Sequence, residues 1–212
     1  GSGRVTLQLA RVGHSLTGLD NSPEMLALAR ARLARRKDLG GRVTLVEADM
    51  RAFALDGQFA AILVPFNTFA HLLTQPDQLA ALTAFRQHCA PGAVLAMDLP
   101  NPGEIYAASE GGLVLENTFR DEERDLTVQQ FSRLQLDRAG QTGQVTWMYD
   151  EIAADGALRR TLVPVTFRYT FPAEIGLLLE RCGFRLEGLH GDYERMPLRD
   201  GAERMIVLAR AC

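Results

Sequence analysis

Two glycines flanking a serine, Gly1-Ser2-Gly3, lead straight into a segment of helical spacing, and Asp20 closes the apolar run that follows. Glycine has no Cβ, so a backbone of this kind turns tightly and lets a ligand come close. The N-terminus of the helix behind it offers unpaired N–H groups. Asp20 ends a predicted strand, where a carboxylate can accept hydrogen bonds from both ribose hydroxyls of a nucleoside cofactor. Glu47-Ala48-Asp49-Met50 ends the next predicted strand. There a carboxylate can accept the exocyclic amine of adenine, and a neighbouring main-chain N–H can donate to a ring nitrogen. Taken singly, these residues are equally a glycine-rich linker, a helix-entry aspartate and a loop aspartate; their order gives them weight.

The elements that must hold these residues alternate between helix and strand. Residues 4–11 are predicted as a helix and 14–19 as a strand. Ser22-Pro23-Glu24 then starts a second helix, with a capping serine, proline in the first position and an acid in the first turn. Met25, Leu26, Ala29 and Leu33 continue it at helical spacing, and Gly40-Gly41 is expected to stop it. Strands are predicted over 43–46, 59–64 and 93–99, with a helix over 77–88 closed by Pro91-Gly92. Strands of such apolar character fit a sheet covered on both faces, and their alternation with helices fits a parallel, doubly wound sheet.

After Pro100-Asn101-Pro102-Gly103 the rhythm changes. Four β-rich segments follow, at 113–119, 126–137, 144–151 and 160–169, with Asp155-Gly156 as a hairpin signal. They are expected to form an antiparallel sheet inserted into the α/β fold. A helix over 172–181 and strands over 184–189 and 204–210 return to the first pattern. The division expected is 1–112 for the cofactor-binding part, 113–170 for the inserted sheet and 171–212 for the rest of the α/β part.

Composition removes several classes of chemistry. The 212 residues are 47% hydrophobic with a net charge of -3, so the chain folds and lacks the basic character of a nucleic-acid binder. The longest apolar run, 59–66, is far short of the ~18 residues that span a bilayer. Cys89, Cys182 and Cys212 are too few and too scattered for a disulfide framework or a metal site, and a cytoplasmic setting is expected. Lys37 is the only lysine. Schiff-base chemistry and a Walker A loop are thereby excluded. Thr6 stands where a GxGxxG fingerprint needs its third glycine, which argues against a nicotinamide oxidoreductase. A non-catalytic nucleoside-binding protein on the same fold stays open.

Gly-x-Gly-Arg, Leu-Asp-x-Ser-x-x-Met-Leu over residues 19–26 and Glu-Ala-Asp-Met over 47–50 resemble successive motifs of the class I S-adenosylmethionine-dependent methyltransferases. Residues 65–72, Arg168-Tyr169-Thr170 and residues 178–184 fit the later segments of that family. The resemblance implies a Rossmann-like sheet of seven strands and the cofactor S-adenosyl-L-methionine, leaving as S-adenosyl-L-homocysteine. It implies that Gly1, Ser2 and Gly3 lie under the methionine moiety, that Asp20 holds the ribose, that Asn21 and Met25 border the adenosine, and that Ala48, Asp49 and Met50 read the adenine. Pro65 and Phe66 are expected at the cofactor too. The family's first strand, with its acidic residue, would precede Gly1, so the reading frame is expected to continue upstream.

Methyl transfer from a sulfonium needs alignment above all, and a base where the acceptor loses a proton. His71 is the expected base, since it follows the fourth strand of the family pattern and imidazole titrates near neutrality. Asn67, Tyr106, Arg168 and Tyr169 are the expected acceptor contacts. Each of these five residues also has an ordinary structural reading. The acceptor is expected to be a small molecule taking the methyl group on nitrogen or oxygen, without metal, nucleic acid or membrane. The inserted sheet, with Phe119, Phe131, Trp147, Tyr149, Phe167 and Tyr169, is expected to cover the acceptor or to join two copies.

Overall fold

The structure, a computed structural model, describes residues 1–39 and 41–212 and divides them into two compact units. The first holds Gly1–Gln58 and Leu79–His88, and the second holds Phe59–Gln78 and Cys89–Cys212.

In the first unit, α1 (Arg4–Arg11) leads to β1 (Leu16–Asp20), α2 (Pro23–Ala34) and β2 (Val43–Glu47). The two strands pair in parallel, from Leu16 opposite Val43 to Asp20 opposite Glu47. A parallel pair needs a crossover, and α2 supplies it. Ser22 caps α2 as its sequence foretold, its Oγ accepting the Met25 N–H at 3.2 Å. The helix stops at Ala34, ahead of Gly40-Gly41, and a 3-10 turn over Lys37–Leu39 follows. Gly40 lies outside the described residues. Ala10, Leu26, Ala29 and Leu39 are buried. His88 is a buried structural histidine in this unit. Its Nδ1–H donates to the Ala84 carbonyl at 2.8 Å, its Nε2 accepts the Leu55 N–H at 3.1 Å, and its ring stacks on Phe53.

The second unit contains β3 (Phe59–Val64) and β4 (Cys89–Pro100), which are parallel. The helix between them, α3 (Gln75–Gln87), begins in this unit. Pro91-Gly92, expected to separate helix from strand, lies inside β4 as an irregular lead-in, with Gly92 at a φ of 71° and a register slip opposite it. A short helix absent from the sequence reading, α4 (Pro102–Ala107), is capped by Asn101, whose Oδ1 accepts the Gly103 N–H at 3.0 Å.

A four-stranded antiparallel sheet follows: β5 (Val114–Asp121), β6 (Leu126–Asp137), β7 (Thr142–Ile152) and β8 (Leu158–Arg168), paired in chain order. Asp155-Gly156 makes the last turn, with Gly156 at a φ of 85°. The chain ends with α5 (Pro172–Arg181), β9 (Phe184–His190) and β10 (Arg204–Ala211). β10 runs antiparallel between β4 and β9, giving the order β3-β4-β10-β9. Met205, Val207 and Ala209 of β10 and Leu95, Met97 and Leu99 of β4 are buried, as befits adjacent inner strands.

The α/β strands therefore form a two-stranded and a four-stranded sheet, with no ladder joining them among the described residues, rather than one continuous sheet. No helix among the described residues is long and apolar enough to cross a membrane. Leu95 is fully buried at the middle of β4. Leu95→Ala should lower unfolding free energy by about 2–5 kcal/mol in urea titration, through lost transfer energy and the cavity left behind.

Candidate functional site

In the first unit the structure brings Gly1, Ser2, Gly3 and Asp20 together. Gly3 sits at the N-cap of α1 with a φ of 81°, and a Cβ there would lie 3.3 Å from that of Ala29. Backbone conformation and close approach to α2 both require glycine. Lacking a side chain, Gly3 leaves the opening of α1 without a side-chain cap. Arg32 of α2 fixes the loop by donating to the Ser2 carbonyl at 2.9 Å and to Ser2 Oγ at 2.7 Å.

Asp20 lies at the end of β1. Its carboxylate accepts the Gly1 amino group and, at 2.8 Å, the Ser22 N–H. Partial burial works against its ionisation, but hydrogen bonds, the Ser22 N–H among their donors, prevail and hold its pKa below the ordinary aspartate value. Asn21 and Met25 are exposed beside it, at the entry to α2.

Asp49 follows β2 and is more committed than its sequence position implies. Arg51 donates to it from its main-chain N–H at 2.8 Å, from Nε at 3.0 and 3.1 Å, and from Nη2 at 2.6 Å. These bonds hold its carboxyl below the ordinary range. Ala48 and Met50 on either side are half-buried.

In the second unit, Pro65, Phe66 and Asn67 form the turn that ends β3. Phe66 and Asn67 are successive non-glycine residues with left-handed backbone, at φ 54° and 57°. Each such residue costs of order 1–3 kcal/mol and persists only where neighbours enforce it. Asp98, near the end of β4, does the enforcing. Its Oδ2 accepts the Phe66 N–H at 3.1 Å, and its main-chain carbonyl accepts the Asn67 N–H at 3.0 Å. The same carboxylate accepts the Tyr193 hydroxyl at 2.6 Å and Arg204 Nη1 at 2.9 and 3.1 Å. The bond to Asp98 pushes the Tyr193 phenol above its usual pKa, and Arg204 likewise. None of Asp98, Tyr193 and Arg204 figured in the sequence reading. The available signal was an acid next to the end of an otherwise apolar strand.

His71 closes a 3-10 turn over Thr68–His71 and is exposed. Its ring makes no hydrogen bond or ion pair among the described residues. Tyr106, on α4, is also exposed, with its ring edge-on to Phe171 and under the Arg138 guanidinium. Arg168 and Tyr169 are interior. Arg168 donates to Glu174 at 2.6 Å and to the Gly140 carbonyl at 3.0 Å, while Gln75 and Gln141 also donate to Glu174. Burial raises the pKa of Tyr169, and its hydroxyl has no hydrogen-bond partner among the described residues. Arg168 thus ties the end of β8 to the start of α5.

Burial opposes ionisation of Glu174, but the bonds from Gln75, Gln141 and Arg168 hold its pKa below the ordinary glutamate value. A carboxyl depressed on folding stabilises fully above its unfolded pKa, near 4.3, and that contribution is lost as pH falls through the folded value. Glu174→Gln should therefore cost about 3 kcal/mol at pH 7 by stranding Arg168. In urea titrations the deficit should shrink as the pH is lowered below 4. Gly3→Ala should cost about 1–2 kcal/mol by the same assay, from left-handed backbone alone.

Comparison with known proteins bears on the whole arrangement. Residues 1–92 match the family profile described as a methyltransferase domain. The dTDP-3-amino-3,4,6-trideoxy-alpha-D-glucopyranose N,N-dimethyltransferase of Streptomyces venezuelae is 35% identical over 81 residues, 38% of this chain and 31% of that protein. The CcbJ methyltransferase from Streptomyces caelestis is 25% identical, with a TM-score of 0.85, covering 100% of this chain and 80% of that one. CalS10, an amino pentose methyltransferase from Micromonospora echinaspora solved with S-adenosylmethionine bound, shares the fold at a TM-score of 0.79 and 24% identity, over 100% of this chain and 80% of that one. Glycine loop, strand-end acids, profile and fold agree: residues 1–92 match a methyltransferase domain, and the fold is that of solved S-adenosylmethionine-dependent methyltransferases.

Proposed function

We propose that this chain transfers the methyl group of S-adenosylmethionine to a nitrogen or oxygen of a small molecule, with an amine on a sugar as the first acceptor class to try. The observation that carries the proposal is the uncapped opening of α1 behind Gly3, with the ionised Asp20 beside it. The donor set suits the cofactor: a glycine turn without Cβ atoms for the methionine end, and a carboxylate for two ribose hydroxyls. The acceptor class rests on the Streptomyces venezuelae relative, whose name specifies a dTDP-amino sugar.

When bound, S-adenosylmethionine would supply a sulfonium-activated methyl group. The chain's own residues bind and orient. Gly1, Ser2 and Gly3 hold the methionine end, Asp20 the ribose, and Asn21 and Met25 the edge of the adenosine. Ala48, Asp49 and Met50 take the adenine. Asp49 is engaged by Arg51, but that pair is partly exposed, and pairs of this kind are worth only ~0–1 kcal/mol, so a ligand amine can displace it. His71, exposed and without a hydrogen-bond partner among the described residues, takes the proton an acceptor releases. Asn67 and Tyr106 line the acceptor side. Arg168 and Tyr169, being interior, shape it from beneath. A buried hydroxyl left unpaired at Tyr169 costs ~1–3 kcal/mol, which supports a partner arriving with the acceptor.

The finer fold reading belongs to this proposal: a doubly wound sheet of seven strands, divided at 112 and 170 by an inserted antiparallel sheet. The β10 strand between β4 and β9 supports it. Leu113, Val114, Leu115, Leu158 and Leu162, all more than half exposed, support the antiparallel sheet as a cover for the acceptor or a contact between copies.

Calorimetry on the native protein should show S-adenosylhomocysteine binding and much weaker NAD binding. Asp20→Ala should weaken the former by roughly 1.5–3 kcal/mol, the worth of hydrogen bonds to a charged group. Equal or tighter NAD binding would refute the assignment. With a dTDP-amino sugar as acceptor, His71→Ala should lower turnover by about 10²-fold while cofactor affinity holds. Unchanged turnover would remove His71 from the chemistry.

A further inference from the structure

The turn at the end of β3 holds two left-handed residues in a row, Phe66 and Asn67, and neither is glycine. Within the turn, the Thr68 N–H and hydroxyl both donate to the Pro65 carbonyl, at 3.3 and 2.6 Å, and groups outside it add to that hold. Both main-chain N–H groups of the pair land on Asp98, the first on its Oδ2 and the second on its carbonyl. Asp98 is only 5% exposed, and Arg204 donates to both its carboxylate oxygens.

The same Oδ2 that accepts the Phe66 N–H also accepts the hydroxyl of Tyr193 at 2.6 Å. Tyr193 belongs to the segment between β9 and β10 and is 64% exposed as a residue. That segment is closed on itself by the Gly191 N–H to the Met196 carbonyl, 2.8 Å. It is tied to the residues around α4 by Asn101 Nδ2 donating to the Ala202 carbonyl at 2.8 Å and by the Gly201 N–H donating to Glu104 at 2.9 Å. The Arg204 guanidinium lies 5.5 Å from the Tyr193 ring centre, on the side chain it shares with Asp98 as a partner. One carboxylate thus gathers the β3 turn, the segment after β9 and the start of β10.

We propose that Asp98 and Tyr193 are positioning residues for the acceptor: Tyr193 latches the 191–203 segment onto Asp98, and the latched carboxylate holds Phe66 and Asn67 in their strained conformation. The inference rests on the reading that the acceptor meets the chain at the end of β3, where Asn67 lies. Its structural half, the latch itself, does not depend on that reading. Removing the Tyr193 hydroxyl takes away one donor from Asp98 Oδ2 and leaves the ring, the backbone and the Arg204 pair in place. Freed of its latch, the segment opens more often, and the carboxylate that accepts the Phe66 N–H loses one of the donors that fix it.

The variants are Tyr193→Phe and, as a harsher probe that could fail to fold, Asp98→Asn. Hydrogen exchange is followed at the Phe66 and Asn67 amides, melting temperature is measured alongside, and transfer is assayed with dTDP-3-amino-3,4,6-trideoxy-α-D-glucopyranose and related amino sugars. In Tyr193→Phe both amides should exchange at least tenfold faster while the interior amides of β4 and β10 keep their rates and the melting temperature stays within a few degrees. The acceptor KM should rise at least fivefold, with any loss of S-adenosylhomocysteine affinity smaller than that. Wild-type exchange rates at Phe66 and Asn67 in Tyr193→Phe would overturn the latch. Faster exchange with an unchanged acceptor KM would overturn the positioning role and reduce the contact to a structural tie. Should the wild-type protein methylate no amine, the acceptor reading above fails, and the exchange measurement alone still decides the latch.

Discussion

A carboxylate removed from water must be surrounded by donors, and in the second unit that constraint falls on Asp98. Desolvating a lone charge costs several kcal/mol even after relaxation, and that cost is met only where geometry brings several donors to the same oxygens. Here the donors come from an amide in the turn after β3, a phenol in the segment after β9 and a guanidinium at the head of β10. Their chain positions are far apart. The sheet order β3-β4-β10-β9 makes them neighbours, because β10 inserts antiparallel beside β4 and returns the late chain to the carboxyl end of β3. A strained turn, a surface segment and a strand end thereby meet at one carboxylate.

A second gathering of the same kind sits where the antiparallel sheet rejoins the rest of its unit. Arg168, the last residue of β8, is held by Glu174 of α5, and Gln75 and Gln141 complete the carboxylate's shell. Buried polar clusters of this sort fix one geometry rather than add much stability, since their electrostatic gain is set against desolvation. The aromatic rings of Tyr106, Phe171 and Tyr169 pack edge to face alongside. The direction in which the antiparallel sheet leaves and re-enters its unit is thus set by specific partners as well as by apolar contact.

Little of the proposed chemistry requires an unusual side chain. A sulfonium already carries its leaving group, so the demands on the protein are orientation and exclusion of competing reactions. The structure is consistent with that economy: Asp20 and Asp49 are kept ionised as acceptors of hydrogen bonds, while His71 lies exposed in a short turn.

Much of the fold was legible in the sequence because it rests on local signals. Apolar periodicity located α1, α2, α5 and every strand to within a few residues, Ser22-Pro23 placed the start of α2, and Asp155-Gly156 placed a turn. The candidate residues Gly3, Asp20 and Asp49 were legible for the same reason: each lies at a strand end or helix start, and such positions show in local pattern. Signals that compete within a few residues misled: Pro91-Gly92 reads as a break, yet pairing with β3 carries the strand through it, and α4 is too short to show a period. The engagement of Asp49 by Arg51, the burial of Arg168 and Tyr169, and above all the gathering at Asp98 were decided by tertiary structure alone. Hydrogen bonds such as those from Tyr193 and Arg204 to Asp98 join residues about a hundred positions apart. No spacing rule connects them, and only the antiparallel return of β10 brings their atoms within bonding distance.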